Sequence, residues 1–375
     1  MAREPYIRQQ REAHGRRSVA VLPVHYPKEL LTALDLLAVE VWGPPGAPRG
    51  DAAGRIQPYV CSVVRNALAF LASGGADAVD AALFPHTCDS IQQLATLAHD
   101  FGGWGKPMLA FLHPKGNGRP SERKFLHAEL RALAGSLEGV AGKPLDPARL
   151  DAAIRLHREI DGLRAGLLDG RARLPMDDRA LYGLLRRGEW LWPEDHLAEL
   201  RAATARLGTG TPPAGVPVLV TGYVPEPAAM LEILNGAGAF VAGDDYAAVG
   251  RRVVRDARPQ AADPWEALLD RQLAAPPCPT RSMDSVARMR HLVALAERCG
   301  ARGVVVHVVK FCEPELFDVP VIRKTFAERG TPVLYLEGEL ERQLSGQVET
   351  RIEAFAEMLS TGAATAGAPV AGGAA

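Results

Sequence analysis

The chain has 375 residues, 47% of them hydrophobic, and a formal net charge of -1, so it is long enough for two domains with cores of their own and lacks the charge excess that marks a polyanion-binding protein. Nucleic acid is therefore excluded as a default partner, no stretch approaches the ~20 continuous apolar residues of a membrane span, and the expectation is a soluble, cytoplasmic protein. Five cysteines, Cys61, Cys88, Cys278, Cys299 and Cys312, are few and odd in number, which argues against a disulfide framework and for thiols that are buried, reactive or metal-bound.

Residues 1–17 form a polar, arginine-rich leader. Ser18–Val24 reads as a first strand with His25 at its carboxyl end, and a helix opens after Pro27. A second strand, Val39–Trp42, runs into the Pro/Gly-rich loop Gly43–Gly50. A helix from about Pro58 then carries Val60, Val63, Val64, Ala67, Leu68 and Leu71 as its apolar stripe, with Cys61 in its first turn. There the free backbone N–H groups and the helix dipole favour a thiolate. The strand Ala78–Phe84 leads into Pro85-His86-Thr87-Cys88-Asp89 and a helix from Ser90 to Phe101; Met108–Leu112 completes an N-terminal α/β domain over residues 18–120.

Residues 121–210 have helical periodicity and dense charge without a strand, as expected of a helical connecting region. A C-terminal α/β domain, 211–360, follows the boundary Thr211–Gly215. It opens on the strand Val216–Thr221, turns at Gly222, and continues through the helix Ala228–Leu234 and the strand Ala239–Ala242 to Asp244-Asp245. After a helical stretch containing Pro276-Pro277-Cys278-Pro279 and a helix from Ser285 to Cys299, the β-branched run from Val304 to Val309 breaks into Lys310-Phe311-Cys312-Glu313-Pro314, a buried strand delivering a thiol. A helix to about Arg329, the strand Pro332–Leu336 and a last helix, Gln347–Leu359, precede an Ala/Gly-rich tail, 361–375, expected to be disordered. The fold expected is α/β, with two Rossmann-like (flavodoxin-like) domains whose parallel sheets face each other across a cleft.

Three thiols, Cys61, Cys88 and Cys312, thus fall at strand ends or first turns, where α/β proteins bind ligands. Converging across a cleft, they would suit zinc or a [4Fe-4S] cluster with one iron left open, and spacing does not choose between the two. His25 and His86 are candidates for proton transfer, against the commoner role of structural hydrogen bonding. Glu313 stands either to orient a ligand or as a solvated surface acid. Arg65 and Arg351 are candidates for holding a ligand's phosphates or for ion pairs within their own domain. Gly222 permits a close backbone approach to a ligand, and Asp244-Asp245 is a site pair or a turn capping the next helix.

Lys310–Pro314, the stretch Ser345–Phe355, Pro85–Asp89, Asp244-Asp245 and the Cys61/Arg65 pair together resemble the 2-hydroxyacyl-CoA dehydratase and benzoyl-CoA reductase family, in the family's order from Ser18 to Leu359. Asp244-Asp245-Tyr246 departs from the usual continuation after the paired acids. The resemblance implies an oxygen-sensitive enzyme subunit holding a [4Fe-4S] cluster through Cys61, Cys88 and Cys312. It further implies a homologous second subunit in a heterodimer, a separate ATP-hydrolysing iron–sulfur activator that injects one low-potential electron, and an acyl-CoA thioester substrate made into a radical. This chain carries no Walker-type phosphate loop, so ATP hydrolysis would belong to the activator. The competing expectations are a non-catalytic electron-transfer or scaffold subunit, or a related cluster protein reducing another small substrate.

Overall fold

Two parallel four-stranded sheets frame the computed structural model, which describes residues 3–43, 54–116, 119–255, 260–281, 284–340 and 344–362. The first contains β1 (Arg17–Val21), β2 (Leu36–Glu40), β3 (Ala81–Pro85) and β4 (Met108–Phe111), in the order β2-β1-β3-β4. The second contains β5 (Val216–Gly222), β6 (Ala239–Tyr246), β7 (Gly303–Val309) and β8 (Val333–Gly338), in the order β6-β5-β7-β8. Strand for strand this is the same doubly wound order twice, and it places the carboxyl ends of neighbouring strands around a ligand-binding edge. β3 and β7 are buried at every position, as strands covered on both faces must be, and this is why they read in the sequence as unbroken apolar runs.

The connecting region folds as expected into helices: α5 (Pro120–Ala141), α6 (Pro147–Asp169), α7 (Asp178–Arg186) and α8 (Pro193–Thr204). They follow α1 (Arg3–His14), α2 (Lys28–Ala33), α3 (Ser62–Ala72) and α4 (Asp89–Asp100). Their ends follow from local chemistry. Pro120 and Pro147 sit in first turns, the Asp146 carboxylate accepts the Ala148 amide at 2.8 Å, and α5 stops on Gly142 at φ 71°, a left-handed conformation suited to glycine. Beyond β5 come α9 (Ala229–Gly236), α10 (Pro264–Leu273), α11 (Ser285–Arg298), α12 (Glu313–Ala327) and α13 (Gly346–Thr361).

Three local expectations change. The polar leader contains α1, which buries Tyr6 and Ile7; the Tyr6 hydroxyl donates to Asp195 and accepts the Trp192 amide at 2.9 Å. Asp244 and Asp245 lie within β6 rather than beyond it, because buried partners answer their charge: Tyr182 bonds Asp244, while Arg251 and Arg288 bond Asp245. α10 ends at Leu273, so Pro276–Pro279 lie outside any helix, as prolines without a donor N–H dictate. Leu268 and Leu269 of α10 pack with Leu30, Leu34, Leu83 and Phe111 in the core of the first sheet, so the later half of the chain helps to cover the earlier one. Apart from Gly43, Thr361 and Gly362, the loop Gly43–Gly50 and the Ala/Gly-rich tail lie outside the described residues.

Candidate active site

Each of the three singled-out thiols occupies a helix N-cap. Cys61 precedes α3, Cys88 precedes α4 and Cys312 precedes α12. Cys61, expected in the first turn, stands one step earlier with an extended backbone of φ -60° and ψ 152°. An N-cap side chain faces the unsatisfied amides of the following turn. The amides of Val64 and Val63 accordingly favour the Cys61 thiolate, those of Ile91 and Ser90 favour Cys88, and that of Glu315 favours Cys312. Cys312 is turned onto its cap by Phe311, which adopts a left-handed φ of 64°, uncommon for a non-glycine residue.

The thiols sense one another's charge. Burial pushes the Cys61 thiol up to about 12, and the neighbouring Cys88 adds to this. Burial also raises Cys88. It pushes Cys312 well above the ordinary thiol range, with further contributions from Cys61, Glu315 and Cys88. Two thiols following the first sheet's elements and one following the second's thus lie within electrostatic reach of one another. The buried Tyr223, just past β5, is within electrostatic reach of all three and of Cys278. Its hydroxyl donates to the Pro23 carbonyl at 3.2 Å, and its ring stacks at a tilt on Trp42, 5.4 Å between centroids.

The residues fit an iron–sulfur group. Burial raises all three thiols despite Arg65 near Cys61 and Lys115 near Cys88, and a metal–sulfur group would supply further positive charge and deprotonate its ligands. Among the described residues no three His, Cys, Asp or Glu side chains gather closely enough for a single metal ion. A four-iron cluster takes each cysteine on a different iron, so its ligands stand farther apart than those of one zinc. Beside Cys88, the buried His86 Nε2 and Thr87 Oγ1 have no hydrogen-bond partner, and the nearest acid to His86, Asp89, is 3.8 Å away. Such orphaned groups suit a site that receives a ligand.

The other candidates are more dispersed. His25, at φ 62°, is buried with Nε2 3.0 Å from Thr280 Oγ1, and burial, followed by the nearby Arg281, holds its pKa well below the ordinary value. Glu313 is exposed on the first turn of α12. Arg65 is ion-paired with Glu339 at 2.6 Å, and Arg351 donates to the Tyr335 carbonyl at 2.7 Å on an exposed face. At Gly222 a Cβ would lie 2.0 Å from the His307 carbonyl oxygen. This glycine is thus required by the pairing of β5 with β7, and the close backbone approach it permits is to a strand rather than to a ligand. Sequence reasoning also missed a polar set behind Tyr223: Thr280 Oγ1 and Arg251 lie 3.0 and 3.3 Å from Cys278 Sγ, and Arg251 pairs with Glu315 at 2.5 Å. Only the strand-end position of Tyr223 signalled its role; the others meet through tertiary contacts.

Residues 23–359 match the family described as 2-hydroxyglutaryl-CoA dehydratase, D-component. The chain belongs to that family. This dehydratase-family chain is 26% identical to lactoyl-CoA dehydratase subunit beta of Anaerotignum propionicum, over 92% of each chain. It is 24% identical to the (R)-phenyllactyl-CoA dehydratase beta subunit of Clostridium sporogenes, over 94% of this chain and 95% of that one. To a benzoyl-CoA reductase subunit of Thauera aromatica it is 26% identical, over 87% of each. The dehydratase-family chain is an enzyme subunit of the dehydratase or reductase kind, and relatives named as subunits imply a multi-subunit complex. No helix among its described residues is long and apolar enough to cross a membrane.

Proposed function

We propose that this chain is the [4Fe-4S]-holding subunit of a 2-hydroxyacyl-CoA dehydratase or benzoyl-CoA reductase-type complex, with Cys61, Cys88 and Cys312 as the cluster's protein ligands. The observation that carries the proposal is that three N-cap thiols, from two sheets, lie within electrostatic reach of one another. A cluster bound there supplies one-electron, low-potential reduction to an acyl-CoA thioester held nearby. The protein's own part is to bind. The amides at the three helix starts stabilise sulfur-borne negative charge, and the buried Tyr223, stacked on Trp42, lies within electrostatic reach of all three thiols. His86, with its unpartnered Nε2, is the side chain best placed to exchange a proton with a ligand beside Cys88, whereas His25 is committed to Thr280. The partners in this proposal are a homologous second subunit and a separate ATP-hydrolysing iron–sulfur activator.

A second reading, an electron-transfer subunit whose partner holds the substrate, is favoured by one observation. The cavity beside His25 is only about 100 Å³ and none of the three thiols lines it, whereas ligand pockets usually measure ~300–1,000 Å³.

Anaerobic purification with iron and sulfide analysis tests the shared premise. About four irons and four sulfides per chain are expected, lost in the Cys61→Ser, Cys88→Ser and Cys312→Ser variants; full iron retention in these variants overturns the assignment. Adding an acyl-CoA to the reduced complex separates the two readings: a substrate-induced change in this chain's cluster signal supports catalysis here, and an unchanged signal supports electron transfer.

A further inference from the structure

The cavity beside His25 lies between α2, the helical region and the segments following β6 and α10, and none of the three thiols lines it. Lys28, Arg164, Arg251, Arg252, Arg271 and Arg281 all line it, and most of these cations are answered. Glu40 takes Arg252 at 2.5 Å and Lys28 at 2.9 Å; Asp245 and Glu315 take Arg251; Glu29 and Asp161 take Arg271.

Two are not. Arg281 is only 7% exposed, and its hydrogen bonds go to the backbone carbonyls of Ala275 and Pro276, with no carboxylate partner among the described residues. Arg164 is 6% exposed, its Nε has no hydrogen-bond partner, and its nearest acid, Asp161, lies 3.9 Å off and already binds Arg271 at 2.6 Å and the Val254 amide at 3.2 Å. A buried cation without a hydrogen-bonded anion carries a large desolvation cost. The neighbouring histidines sense the excess charge, for His25 and His157 are both pushed down first by burial and then by arginines around the cavity. The volume of about 100 Å³ is several times the ~10–15 Å³ that one water needs.

We infer that this cavity is a binding site for a small oxyanion, a carboxylate or a phosphate, whose negative charge answers Arg164 and Arg281. Guanidinium groups suit both, because their forked N–H donors match the paired oxygens of either anion. The site is separate from the proposed cluster ligands and does not depend on that assignment.

Thermal unfolding of the full-length chain, in whatever complex it forms, tests this with inorganic phosphate in one arm and acetate in the other, at constant ionic strength set with chloride. A saturable rise in melting temperature is expected in at least one arm, since a ligand that binds only the folded state stabilises it; the responding arm identifies the anion. Arg281→Gln and Arg164→Gln are expected to weaken the response about tenfold or more. In anion-free buffer the same variants are expected to melt at or above the parent's temperature, because each removes an unanswered buried charge. No response in either arm, or a response unchanged in both variants, overturns the proposal. So does a variant that melts well below the parent without anion, which would make the arginine a structural tie. Iron content measured on the same samples is expected to stay constant.

Discussion

Arg65 donates to Glu339 at 2.6 Å and so ties the helix that starts at Cys61 to the loop beyond β8 of the other sheet. Three residues earlier, Ser62 Oγ accepts the Leu340 amide at 2.9 Å. Two polar contacts therefore add to the shared apolar core in holding Cys61 relative to Cys312. Ser62→Ala strands a buried N–H and is expected to cost about 1–3 kcal/mol; Glu339→Gln should cost about 1 kcal/mol. Thermal melts check the stabilities, and the rate of iron release to a chelator under anaerobic conditions checks the link to the site. Both variants should release iron faster than the parent.

Cys312→Ser should lose iron while its far-UV circular dichroism stays that of the parent, because β7 and α12 are held by apolar contacts of their own. Cys299→Ser is the control. Its sulfur lies under Gly243, where an added Cβ would come within 2.7 Å of it, and iron content should be unaffected. Equal iron loss in both variants would refute the ligand assignment, and a global loss of helix signal in Cys312→Ser would make that thiol a core residue.

His307, inside β7, donates to or accepts from Tyr246 Oη at 3.1 Å, and burial lowers its pKa to about 4. The unfolded chain takes up a proton near pH 6.5 that the fold refuses until about pH 4, so stability falls as pH drops through that window. His307 alone should account for up to about 3 kcal/mol of the loss at pH 4. His157 and His196, each lowered to about 3, act in the same direction. Denaturant midpoints measured from pH 7 to pH 4 should show a shallower decline for His307→Gln than for the parent.

Gly222→Ala should destabilise by about 2–4 kcal/mol, because the new methyl meets a backbone carbonyl that cannot rotate away from the β5–β7 pairing. A loss below about 0.5 kcal/mol in chemical denaturation would show that the strands separate easily there.

The sheets were legible in the sequence because β3, β5 and β7 are almost wholly buried and read as apolar runs, β-branched in β5 and β7. The strand-end positions of Cys88 and Cys312 followed directly from those runs. What spacing did not contain was the mutual electrostatic reach of thiols from two sheets, with Tyr223 within reach of all three. Asp244 and Asp245 look like the polar end of a strand, yet their stabilising partners come from α7, from the turn after β6 and from α11. No local pattern predicts a buried carboxylate whose arginines arrive from elsewhere. α1 was missed for a related reason, since Tyr6 and Ile7 are the only large apolar side chains on its buried face.

Because both sheets thread their strands in one order, the chain has an internal twofold likeness, and β3 corresponds to β7. Cys88 and Cys312 are counterparts under it, each starting the helix that follows the third strand of its half. Cys61 has no such twin. The corresponding stretch ahead of the helix leading into β7 carries Cys278, and that sulfur is engaged by Arg251 and Thr280. The doubled frame thus offers a matched pair of thiols plus one, so a cluster held by all three would draw its third ligand from where the internal repetition fails.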